Sequence, residues 1–130
     1  SNKYLEKFGM PKTTNDLNKH KFISFGKGAP SPVYNPDWAL KLGMPDGKKR
    51  KTIMKVNSVM GLLLAVESGV GLAALPEYLV SNSNNVIKVL PKSEGPITEA
   101  HFVYPQSLKN VARVKAFRDF IFNKVAEWNF

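Results

Sequence analysis

With 130 residues, 43% of them hydrophobic, the chain is long enough for one ordinary domain with a real core and short for two. It has no cysteine, which excludes disulfides, thiolate zinc sites and cysteine nucleophiles and fits a reducing cytoplasm. The net charge of +9 suits anionic partners, although the basic residues are scattered apart from one cluster.

The chain opens on Ser1-Asn2, with no start methionine and no signal-peptide pattern. Residues 3–8, KYLEKF, predict a short helix ended by Gly9 and Pro11. TTNDLNKH supplies Thr and Asn caps and then a helical turn. Residues 22–25, FISF, are β-branched and aromatic and predict a strand. Residues 26–37, dense in Gly and Pro, predict a loop. WALKLG fits either state. Asp46-Gly47 marks a turn, and KTIMKVN after it predicts a strand.

Residues 56–79 read VNSVMGLLLAVESGVGLAALPEYL. Asn57 or Ser58 can cap a helix running to about Ser68, with Gly69 at its C-terminal cap. That helix has almost no polar face, so it must be covered on two sides. GLAALP predicts a short buried strand and PEYLV a small helix opened by Pro76. SNSNN is a loop, VIKVL a strand, KSEGP a turn and EAHFVYP a strand. Val111, Val114, Phe117, Ile121, Val125 and Trp128 form one apolar stripe, which predicts a helix over residues 108–128. Strands and helices interleave, so the fold class is α/β. Glu67 and Ser68 close the longest apolar run short of membrane-spanning length, so no membrane partner is expected.

The chemical signals are sparse. Gly69-Val70-Gly71 follows a helix and precedes a strand, the reverse of a dinucleotide fingerprint, and position 74 is alanine where a third glycine would stand. It reads as a helix stop. His20 and His101 are the two histidines; His101 shares a strand face with Glu99, which is better read as a half-exposed face than as a metal pair. No serine has an obvious base. No catalytic residue, metal site or cofactor is therefore expected, and the chain does not read as an enzyme. Lys48, Lys49, Arg50 and Lys51 could grip phosphates, but no aromatic residues interleave. The cluster reads as a solvated hairpin tip.

The order of these pieces resembles the effector-binding domain of LysR-type transcriptional regulators. Tyr4-Leu5, Gly9-Met10-Pro11, Asp16-Leu17 and His20 are similar to the family's opening segment. Asn57, Ala65-Val66, Gly69, Gly71 and Pro76 are similar to its helix, double-glycine and A-x-L-P unit. HFVYP and VKAFRDFI resemble its closing strand and helix. The resemblance implies a type 2 periplasmic-binding-protein-like fold with a mixed sheet flanked by helices. Residues 1–97 would be effector-binding subdomain II; residues 98–130 would be the strand and helix that return to subdomain I. The family's helix-turn-helix and the first half of subdomain I have no counterpart in the residues at hand, and DNA contact would run through that missing domain.

The resemblance further implies a small, anionic organic effector in an inter-subdomain cleft, self-association as a homodimer or larger, and a cytoplasmic location. Effector contact is expected from Ser24 and Phe25 at a strand end and from Asn57 and Ser58 at a helix start, whose free N–H groups suit a carboxylate. Gly69 and Gly71 would shape the floor. The plainer reading is that Asn57 and Ser58 cap their helix. The alternatives are a stand-alone solute-binding module and a small basic nucleic-acid-binding domain using Lys48 to Lys51.

Overall fold

The computed structural model describes residues 1–26, 35, 37–81, 83–97 and 99–128, so most of the expected loop at 26–37 lies outside the described residues. The chain divides into two compact units, Ser1–Thr98 and Glu99–Phe130.

In the first unit, Phe22–Phe25 forms strand β1, buried at every position. It pairs in parallel with β2, Thr52–Val56, in the register Ser24↔Lys55 and Phe25↔Val56. A parallel pair needs a crossover, not a tight turn. The connection here includes the one-turn helix α2, Trp38–Lys41, and a turn closed by Lys48 N–H donating to the Pro45 carbonyl. Side chains alternate across β1. Phe22 joins Tyr4, Leu17, Leu40 and Leu72 in one cluster; Ile23 and Phe25 join Leu62, Ala65 and Val66 in another. Helix α1, Asn2–Phe8, the 3-10 turn Asp16–Lys19 and α2 thus serve one side of the strand, and helix α3, Val59–Glu67, the other.

Local chemistry fixes the ends of these elements. Gly9 ends α1 with φ +79°. Thr13 and Asp16 bond reciprocally: Thr13 N–H donates to the Asp16 carboxylate and Asp16 N–H to Thr13 Oγ1. The Thr13 hydroxyl bond, first among several, holds the Asp16 carboxyl below the ordinary range. Tyr4 Oη accepts Lys21 N–H at 2.8 Å and lies 3.3 Å from His20 Nδ1. Burial lowers the His20 pKa, opposed by the Asp16 carboxylate.

Arg50 corrects the expectation of a solvated hairpin tip. It is 8% exposed, and it follows the α2 crossover, since β1 and β2 form no hairpin. Its Nε donates to Asn18 Oδ1, Nη1 to the Leu42 carbonyl and Nη2 to the Thr14 carbonyl, at 2.7–2.8 Å. The guanidinium lies 5.7 Å from the Phe22 ring centroid. These segments have backbone carbonyls facing inward, and one planar five-donor group satisfies several at once.

Among the described residues the sheet is a single parallel pair, smaller than the mixed sheet expected. Residues 71–76 contribute a single parallel bridge, Leu72 to Phe22, not a strand. Its two bonds are Ile23 N–H to the Leu72 carbonyl and Leu72 N–H to the Lys21 carbonyl. Residues 86–90 form no strand: among the described residues they have no ladder partner, and Leu90 takes φ +51° just before Pro91. Their apolar side chains still pack, Val86 on the α3 side and Val89 and Leu90 on the other. Helix α4, Glu77–Val80, follows Pro76 as expected.

In the second unit, residues 99–105 are not a strand among the described residues. An extended segment becomes one only beside a partner that takes its backbone bonds, and Val103 is 84% exposed. The expected helix at 108–128 is shorter. A 3-10 turn, Gln106–Leu108, follows Pro105, and helix α5, Ala112–Ala126, starts later at Val111, whose side chain cannot cap it. No described residue of α5 is buried. Phe102 meets Phe117 at 5.9 Å between ring centroids, and Val111, Val114 and Ile121 are half-buried.

Candidate functional site

The carboxyl end of β1 and the amino end of α3 meet. Gly26 N–H donates to the Val56 carbonyl at 2.9 Å, extending the parallel pair past Phe25. This brings Gly26 against Asn57: a Cβ built on Gly26 would stand 3.7 Å from Asn57 Cβ. Four of the six expected contact residues, Ser24, Phe25, Asn57 and Ser58, therefore cluster at one end of the sheet. Open α/β sheets hold ligands at the carboxyl ends of their strands.

Ser58 is the cap of α3: its Oγ accepts Gly61 N–H at 3.2 Å. Asn57 is exposed, and its side chain bonds no described residue. The capping reading thus holds for Ser58 and not for Asn57. The Val59 and Met60 amides have no acceptor among the described residues. The end of α3 offers free donors and a partial positive charge beside an unbonded amide side chain.

Ser24 is 5% exposed, yet its hydroxyl bonds no described residue. The sealed, unbonded side-chain oxygen among the described residues is Ser1 Oγ, so the Ser24 hydroxyl still touches accessible space. Ser24 and Phe25 line a recess of about 10 Å³ with Val59, Leu62 and Pro76, room for roughly one water. The α3 side of this end is a shallow wall and not a closed pocket.

Gly69 and Gly71 are not part of this cluster. They sit past the far end of α3, beside the start of β1. Gly69 takes φ +77°. Its N–H donates to the Val66 carbonyl and that of Val70 to the Ala65 carbonyl, the two bonds of a Schellman stop. Gly71 is needed for close approach, since a Cβ there would lie 2.6 Å from the Lys21 carbonyl oxygen. His101 Nε2 stands 3.7 Å from Glu99 Oε2, with both side chains exposed.

Sequence reasoning missed the other side of the strand pair. Ser24, Phe25, Leu40, Arg50, Lys51 and Lys55, among others, line an open groove of about 450 Å³ there. The signal was present in the cation run Lys48 to Lys51 with Lys55 close behind it in the sequence.

Comparison with known proteins places the chain. Residues 1–126 match the family model described as the LysR substrate binding domain. A curated protein of Haemophilus influenzae (strain ATCC 51907 / DSM 11121 / KW20 / Rd), described as an uncharacterized HTH-type transcriptional regulator, is 29% identical over 106 residues. Those residues cover 78% of this chain and 35% of that protein, so the chain spans about a third of the relative's length. No solved structure matches.

Proposed function

Given that the chain belongs to the LysR substrate-binding domain family, we propose that it is the effector-sensing part of a transcriptional regulator and acts by binding rather than by catalysis. It forms one wall of an inter-subdomain cleft in a type 2 periplasmic-binding-protein-like domain. Residues 1–97 serve as subdomain II, and residues 98–130 return to subdomain I. A small organic anion is held at the carboxyl end of β1. Asn57 and Ser24 donate to it, the first amides of α3 add partial positive charge, and Phe25 supplies an apolar edge. Self-association of the regulator and DNA contact through a helix-turn-helix domain of the whole protein complete the reading. Among the described residues no helix is long and apolar enough to cross a membrane.

The observation that carries this is the free hydrogen-bonding capacity at one spot. Asn57, the Val59 and Met60 amides and the Ser24 hydroxyl lack partners among the described residues. Of these, the Ser24 hydroxyl is on a buried residue, where a polar group without a partner is uncommon and marks a place that something else completes; Asn57 is exposed and free to turn toward a ligand. The nucleic-acid reading loses support because Arg50, the strongest phosphate ligand of its cluster, is engaged internally.

Calorimetry against a panel of small mono- and dicarboxylates tests the proposal. At least one should bind. Asn57→Ala should weaken it roughly tenfold, the loss of one charge-assisted hydrogen bond, without moving the melting temperature. Unchanged affinity in Asn57→Ala would remove that residue from the site.

A further inference from the structure

We propose that the groove on the α2 side of the β1–β2 pair is a second small-molecule site, which takes a compact anion bearing two or more charges. Its volume of about 450 Å³ falls within the roughly 300–1,000 Å³ of ligand pockets. Lys49, Arg50, Lys51 and Lys55 line it against one carboxylate, Asp37. That carboxylate is already met by Lys49 Nζ at 2.8 Å. Arg50 cannot swing away, because all three of its nitrogens are bonded to the fold. It is a fixed positive charge in the wall. Lys51 and Lys55 make no ion pair among the described residues.

Surface lysines alone usually face water, so the groove needs more than charge. Two features supply it. The cations line a concavity, where charge of one sign focuses the field. The Ser24 hydroxyl, on a residue 95% buried and opposite Lys55 in the strand register, also borders the groove and lacks a partner among the described residues. A compact polyanion fits better than a duplex. Strand β2 has five residues and spans roughly 17 Å, half of a ~34 Å helical turn of DNA. Phe25 is 8% exposed and offers no stacking platform. Ser24 and Phe25 border both this groove and the proposed effector wall, whereas Asn57 and Ser58 do not border the groove, so Asn57→Ala separates the two sites.

Calorimetry on the whole chain at low salt, with inorganic pyrophosphate in one arm and citrate in the other, tests it. Saturable binding of pyrophosphate alone supports a phosphate-bearing ligand, of citrate alone a polycarboxylate, and of both a site that reads charge. In each case Lys51→Gln/Lys55→Gln should weaken binding roughly tenfold. Lys109→Gln/Lys115→Gln, the same charge removed from exposed positions in the second unit, should change it less than about twofold. Asn57→Ala should leave it unchanged. Circular dichroism confirms that the variants fold, which Lys→Gln at exposed positions should not disturb. The proposal is overturned if neither anion saturates. It is also overturned if the second-unit variant loses as much, or if a short random duplex binds more tightly through the same two lysines.

Discussion

Helices α3 and α5, the first apolar nearly all round and the second striped, show what apolar side chains do in two settings. Helix α3 has 9 residues and buries four of them, Leu62, Leu63, Ala65 and Val66. Helix α5 has 15 residues and buries none. Both are legible as helices. The difference lies in the neighbourhood: α3 lies against a hydrogen-bonded strand pair, whereas residues 99–105 of the second unit form no ladder. Phe117, Phe120 and Phe122 are each more than half exposed, and each large side chain left in water forgoes roughly 1.5–3 kcal/mol. An amphipathic pattern makes a helix; a second layer makes it stable.

The largest expected effect tests that contrast directly. Ile23, 2% exposed between β2 and α3, should cost about 2–5 kcal/mol on Ile23→Ala. Ile121→Ala, at a half-buried position of α5, should cost less than about 1 kcal/mol. Urea titration of both variants measures this, and comparable losses would erase the distinction between the units.

Next in size is Arg50. Arg50→Met should cost about 2–3 kcal/mol, because the Thr14 and Leu42 carbonyls and Asn18 Oδ1 lose their donor. The adjacent Lys49→Met should cost at most about 1 kcal/mol, since its bond to Asp37 is an exposed ion pair. Equal shifts in melting temperature would return Arg50 to the solvated surface.

Smaller again is the cap of α3. Ser58→Ala should destabilise by about 1 kcal/mol and Asn57→Ala by a few tenths at most. If the two denaturation midpoints moved in the opposite order, Asn57 would be the cap, and its ligand variant would have to be reinterpreted.

The smallest effect is pH-dependent. Burial lowers the His20 pKa below 6.5, so the folded chain prefers neutral histidine. As pH falls, the unfolded chain takes up the proton first. Stability should be level above about pH 6.5, fall from there toward the lower folded-state value, and then level off again. His20→Gln should flatten that part of the profile, and a denaturation series across the window would reveal a persistent slope if other groups are responsible.

Much of the first unit was legible because its signals are local. FISF, TIMKV, the Ser-capped helix and the Gly69 stop each depend on residues within a few positions. So did the placing of Ser24, Phe25, Asn57 and Ser58 at a strand end and a helix start. The errors arose where the outcome depends on distant segments. VIKVL and EAHFVYP have strand composition, but composition supplies no ladder partner. Arg50 looked like its three lysine neighbours, and nothing near it in sequence predicts that Thr14, Asn18 and Leu42 converge on its guanidinium.

By itself, then, the sequence determined the α/β class, the family and most element boundaries, since periodicity, caps and turn residues act over one or two turns of chain. The tertiary structure decided which apolar runs become strands, which cation is structural and which side of the strand pair gathers the free ones. These outcomes rest on hydrogen bonds and burial between residues far apart in sequence, and Arg50 with Thr14, 36 positions away, is the clearest case.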